Sequence, residues 1–234
     1  DCNRSLEHWV ENLRGVRFQA HLGSLYDKTN RIKKLAGSIA VELGWDESRV
    51  LRSAHLCKAD LVSQMVNEFP GLQGAMGHRY ARQNGESREV SVALEEHYLP
   101  QHAGDKLPAS RPGKILALAD RVDTLTGIFS TGQEPTGERD PYGLRRAALG
   151  MIRILVEKKL ALDLKYLVDL SVSIYVADGH TIGDDVRDQV IQFITERYRA
   201  YYITAGFAND EINAVLEVGP TQPVDFDRRL RAVS

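Results

Sequence analysis

Four places in the chain carry side chains that could act together: Lys28 in YDKTNRI, Lys58-Ala59 in LCKADL, His97 in LEEHYLP and Asp120 in LALADRVDTL. Aspartate and histidine are the ligand types a divalent ion needs to polarise a phosphate and generate hydroxide, but that chemistry takes several of them at one point. One of each is too few. Lysine offers only donors and a positive charge, so two ammonium groups in such a cavity would repel an ion and pair with Asp120 or a neighbouring carboxylate. The expectation is a cavity with no metal and no catalytic residue, in which lysine charge replaces ion charge. A competing metal site would use His55, Asp60, His97 and Asp120 as ligands. Positions 55 and 60 are five apart, a spacing that does not stack two side chains on one helix face. No phosphate-cradling GxxxxGK[ST], no GxGxxG and no Ser-His-Asp or Cys-His order is present.

Helices must position these residues, because nearly every segment with a clear period has the helical one. Leu35, Ile39 and Leu43 recur every four residues, and Val50, Ala54, Cys57, Leu61 and Met65 extend the pattern into the next segment. Gly44 ends one predicted helix and Asp46 caps the next. Pro70-Gly71, Gly85 and Pro100 interrupt others, and Pro108 to Gly113 reads as a loop. No strand is expected, so the predicted fold class is all-α. The polar stretch STGQEPTGERDP at 130–141 divides the chain into predicted domains at 1–132 and 136–234. Asp140-Pro141 reads as a helix start, because the carboxylate can accept from orphan amides and proline at the first helical position gives up no needed donor. The helix that follows carries Leu144, Ala148, Met151, Ile152 and Leu155 on one side, and more helices are expected near 163–175, 184–204, 208–217 and 224–232.

At 234 residues, with 43% hydrophobic and 26% charged residues, the chain can bury a core without disulfides or metals. Its two cysteines, Cys2 and Cys57, lack a zinc-ligand spacing and fit a reducing compartment, so a cytoplasmic location is expected. No apolar run reaches the roughly 18 residues of a membrane span, and no membrane partner is expected. A formal charge of −2 creates no global field for nucleic acid, so RNA would have to be met by local basic clusters.

The order of Lys28, Lys58-Ala59, His97 and Asp120 resembles that of the His-Asp superfamily of helical phosphohydrolases. There a first His, a His-Asp dipeptide and a distant Asp surround a divalent ion. Registered on that pattern, Lys28 falls at the first His and Lys58-Ala59 at the dipeptide. Asp120 is retained, and His97 matches an accessory His. Longer strings are more specific: SLYDKTNRIKKLA, CKADLVSQMVNEFPGLQGAMGHRYARQNGE, ALEEHYLPQHAGDKLP, LALADRVDTLTGIFSTGQEPTG and RDPYGLRRAALGMIRILVEK. Together they resemble the beta subunit of bacterial heterotetrameric glycyl-tRNA synthetase almost continuously from about residue 17 to 160, and more loosely through PTQPVDFDRRLRAVS. The resemblance implies an all-α architecture: a degenerate HD-type domain, then a helical body leading toward an anticodon-binding module before which this chain stops. It also implies that ATP and Mg are used on a separate alpha subunit, with no cofactor in this piece. The implied partners are tRNA(Gly), the alpha subunit and the remaining beta-subunit domains. The piece alone is expected to be noncatalytic, supporting tRNA binding and positioning for glycylation.

Three clusters have the composition for phosphate contact and base stacking. Arg139, Arg145, Arg146 and Arg153 surround the Asp140 segment. Arg197 and Arg199 alternate with Tyr198, Tyr201 and Tyr202. Arg228, Arg229 and Arg231 lie near the last residue. The plain alternative for each is a solvated helix face with arginines paired to carboxylates and tyrosines half in the core. The glycines of GLQGAMG read as helix breaks or close packing. His78-Arg79-Tyr80 is left unassigned, and a structural adaptor with an exposed apolar patch is the third reading.

Overall fold

The structure is a computed structural model that describes residues 4–137 and 139–234. It is all-α apart from one short antiparallel hairpin, β1 (Arg17–Gln19) and β2 (Gly23–Ser24), which the sequence reading did not anticipate. Two and three residues are too few for an alternating pattern to show. The chain divides into two compact units, 1–123 and 124–234. That division falls before the polar stretch 130–141.

Unit 1 contains α1 (Leu6–Asn12), α2 (Leu25–Glu42), α3 (Ser48–Leu56), α4 (Gln64–Glu68), α5 (Ala75–Gln83), α6 (Arg88–Glu96) and the first part of α7 (Arg111–Ser130). A capping box opens α2: Ser24 Oγ accepts from the Asp27 amide while the Asp27 carboxylate accepts from the Ser24 amide. Gly44, at φ 64°, lies just past its C-terminus, in the left-handed conformation that glycine adopts without strain. One stripe of α2, Ile32, Leu35, Ala36, Ile39 and Ala40, is fully buried and packs on α3. In α7 the run Ile115 to Ala119 is buried on every side, the mark of a central helix.

The apolar spacing from Val50 to Met65 does not form one helix. It breaks at Cys57, a 3-10 turn spans Ala59–Val62, and Met65 is 39% exposed. Pro112 and Gly113 lie inside the first turn of α7 instead of in a loop, since proline loses no needed donor there.

Unit 2 holds the end of α7 with α8 (Leu144–Glu157), α9 (Leu164–Ala177), α10 (Val186–Thr204), α11 (Asn209–Val218) and α12 (Pro223–Val233). Asp140-Pro141 does not start α8. A turn intervenes, with Gly143 at φ 66°, yet the Asp140 carboxylate still accepts from the amides of Leu144 (2.7 Å) and Arg145 (2.9 Å). The core-facing stripe of α10 is Val190, Ile194, Tyr198 and Tyr202. Both tyrosine rings stack on Phe226 of α12, with centroids 4.6 and 5.2 Å apart.

Candidate functional site

Lys28 on α2 and Asp120 on α7 meet in unit 1, although the four predicted cavity residues do not all lie on helices. Lys58 sits between α3 and the 3-10 turn, and His97 caps the C-terminus of α6. Lys28 Nζ lies 3.0 Å from Asp120 Oδ1, and Lys58 Nζ lies 2.7 Å from Asp120 Oδ2. Each carboxylate oxygen thus faces its own ammonium. Lys58 Nζ is also 3.1 Å from His97 Nε2, and because an ammonium can only donate, that nitrogen accepts and Nδ1 carries the proton.

Two unforeseen residues complete the cluster. Asp123 Oδ2 receives Lys28 at 2.8 Å, and Asp123 Oδ1 receives Arg31 Nε at 2.7 Å. Three cations therefore share two carboxylates. Asp123 is fully buried, and the Asp120 side chain is 17% exposed. A signal for both was present: Asp123 follows Asp120 by three residues on α7, and Arg31 follows Lys28 by three on α2. Two matched pairs at that spacing put like-signed charges on facing stripes.

Charge state follows from this geometry. Burial alone would raise the Asp120 carboxyl, but Lys28 and Lys58 outweigh it and hold the group well below the usual carboxylate range. Burial likewise works against the Lys28 ammonium, and Asp120 and Asp123 reverse that effect, leaving its pKa above the ordinary lysine value. At His97, burial and then the nearby Lys58 charge keep the imidazole neutral far below its ordinary range. Next to the cluster, Arg121 donates to the carbonyls of Ala117, His97, Tyr98 and Pro100. Burial brings its pKa down to about 10, so it stays charged at neutral pH.

The competing ligand set is not assembled. His55 Nε2 is 2.7 Å from Glu7 Oε2. The buried Asp60 carboxylate accepts from the amides of Gly74 (2.6 Å) and Gly77 (3.0 Å), fastening the start of α5. Burial raises the Asp60 pKa, and the two amides offset only part of that. Among the described residues no three His, Cys, Asp or Glu side chains converge as an ion would require.

The arginine clusters differ in what holds them. Arg153 pairs with Glu157 at 2.8 Å and is only 13% exposed. Arg197 packs over the Phe193 ring, and Arg199 donates to Asn213 at 2.6 Å. The rings between them are not free to stack on bases: Tyr198 and Tyr202 are buried, and Tyr201 lies 3.4 Å from Glu157 Oε1. Arg229 and Arg231 pair with Asp225 and Asp227, one helical turn earlier, while Arg228 is exposed. Arg139, in the loop before α8, and Arg146, in the first turn of α8, are exposed, and Arg145 beside it donates to the Gly137 carbonyl at 2.7 Å.

Comparison with known proteins decides the family. The family model described as glycyl-tRNA synthetase beta subunit matches residues 1–217. The chain belongs to this family. Among curated relatives, proteins named glycine-tRNA ligase beta subunit from Glaesserella parasuis serovar 5 (strain SH0165) and Haemophilus influenzae (strain PittEE) are each 50% identical over 234 residues. One from Edwardsiella ictaluri (strain 93-146) is 50% identical over 235. Each match covers 100% of this chain and 34% of the relative, so the chain spans about a third of their length. Within this beta-subunit family member, the buried cluster draws on α2, the segment after α3, the end of α6 and α7. No described helix is long and apolar enough to cross a membrane.

Proposed function

We propose that the chain is a noncatalytic part of a glycine-tRNA ligase beta subunit that helps bind and position tRNA(Gly) for glycylation. One observation carries the noncatalytic half of this reading: both oxygens of Asp120 face lysine ammonium groups. A carboxylate neutralised in this way has nothing left to offer an ion, which speaks against divergent phosphohydrolase activity. In this reading ATP and Mg act on the alpha subunit, and the partners are tRNA, that subunit and the remaining beta-subunit domains, in the cytoplasm.

The RNA contact is assigned to Arg139, Arg145 and Arg146. Among the described residues these three have no carboxylate partner, whereas Arg153, Arg229 and Arg231 do. Phosphates want accessible guanidinium groups, and those already bound to carboxylates bring less net charge. The α8 amides are not part of the site, because the Asp140 carboxylate occupies those of Leu144 and Arg145.

The test is a low-salt titration of tRNA(Gly). Arg145→Glu with Arg146→Glu is expected to weaken binding by about tenfold or more, with Arg229→Glu within about twofold of the parent. Equal loss in both variants, or no binding by the parent chain, would remove the RNA assignment. Phosphodiester hydrolysis stimulated by added Mn2+ and abolished by Asp120→Ala would replace the whole reading with the hydrolase.

A further inference from the structure

The outer stripe of α10 and the side of α11 border an open groove of about 430 Å³ lined by seven residues. Ile191 and Leu216 supply its apolar floor, and Asp188, Thr195 and Glu196 its rim. Glu196 is exposed, 3.7 Å from Arg197, and accepts from the Gln192 side-chain amide at 3.4 Å. Arg199, the one basic lining residue, is held by Asn213 across the two helices. From α11 only Leu216 lines the groove; the rest of that helix, NDEINAVLEV, carries Asp210, Glu217 and Glu211, the last accepting from the Ala208 amide, and no lysine or arginine. One turn past Arg199 on the same stripe, Ile203 is 45% exposed. An apolar floor, carboxylates along the rim and a further exposed aliphatic residue therefore line up along three to four turns of helix.

We infer that this groove is the docking site of a basic amphipathic helix belonging to the part of the same subunit that lies outside this chain. The charge selects the occupant: carboxylates repel phosphate and attract lysine or arginine flanking an apolar stripe. The size selects its source. A freestanding protein interface engages about 20–30 residues a side, far more than line this groove. A segment tethered in the same polypeptide needs less area, because its effective concentration is already high. The relatives have the length for such a segment, since this chain covers only 34% of theirs. The choice of source rests on reading the chain as part of a longer beta subunit. The choice of chemistry does not.

The test has two arms. In the first, the 234-residue chain is titrated with an amphipathic Leu/Lys helical peptide and with a Leu/Glu twin that presents the same apolar face, followed by the amide signals of Gln192, Thr195 and Leu216. The Lys peptide is expected to shift these signals and the Glu twin to leave them in place. Asp188→Asn with Glu196→Gln should weaken the Lys peptide by about tenfold. Equal response to both peptides, indifference to the double substitution, or tRNA shifting the same signals would overturn the inference. In the second arm, a photo-crosslinker replaces Gln192 in the full-length beta subunit. An intramolecular product joining it to a Lys/Arg-bearing helix outside this chain supports the proposal. A product with the alpha subunit, or none, refutes the tethered source, while the first arm still judges the chemistry.

Discussion

At the scale of single residues, the cluster around Asp120 and Asp123 is an ion-pair network whose members depend on one another. Replacing Asp123 with Asn leaves Lys28 and Arg31 facing a neutral amide in a buried site. Breaking a buried pair from one side costs about 3–5 kcal/mol, so urea unfolding of Asp123→Asn should show a loss in that range. The exposed Arg229–Asp225 pair is the control, and Arg229→Ala should cost no more than about 1 kcal/mol. The pH dependence has a definite sign. The folded Asp120 pKa is depressed, so its contribution is present above the unfolded value near about 3.9 and is lost as pH falls through the acid range. The folded His97 stays neutral while the unfolded chain takes a proton below about 6.5, so stability also falls with pH there. Lys28 acts at the other end: its contribution is lost only as pH rises beyond the unfolded value near about 10.4. His97 should therefore contribute a loss of urea midpoint below about pH 6.5 that His97→Gln removes, while Asp60, raised in the folded state, works in the opposite direction as pH falls. The pairing of lysines with Asp120 could be read from residue types alone, because a cation with only donors has few other options when buried. Asp123 and Arg31 are not legible from residue type, since neither completes a ligand set; only their matched three-residue spacings to Asp120 and Lys28 signal them.

At the scale of elements, the glycines of GLQGAMG separate into positions the backbone requires and positions it does not. Gly74 adopts φ 80°, and a Cβ there would lie 2.6 Å from a ring carbon of Tyr98. Gly71 has nothing within 4 Å of such a carbon. Gly74→Ala should lose about 1–3 kcal/mol in thermal or urea unfolding, and Gly71→Ala should stay within about 0.5 kcal/mol of the parent. Helix positions in unit 2 were legible because long apolar stripes such as Leu144, Ala148, Met151 and Leu155 specify a face. Details at helix ends were not, since the left-handed Gly143 inserts a turn between Asp140 and the helix it still caps. The alternation of Arg197, Tyr198 and Arg199 suggested a stacking surface. Helical period shows otherwise: Tyr198 and Tyr202 continue the buried series Val190 and Ile194, so the rings turn inward.

For the whole molecule, a formal charge of −2 means that any RNA affinity comes from a few side chains. With three arginines in contact, the logarithm of the binding constant should fall against the logarithm of salt with a slope of about −2 to −3, and Arg146→Ala should reduce that slope by about one. A slope unchanged by this substitution would remove Arg146 from the contact. The all-α class was legible across the entire sequence because the helical period is carried by many residues at once. The β1–β2 hairpin was not, because so short a pairing is set by tertiary contacts. The two lysines that neutralise Asp120 also close off a route in sequence space. Installing an ion would require exchanging both for neutral ligands, because either exchange alone leaves Asp120 paired with the remaining ammonium. The arrangement acts as a ratchet: no single substitution at these two positions empties the pocket of positive charge, so one step alone does not admit an ion.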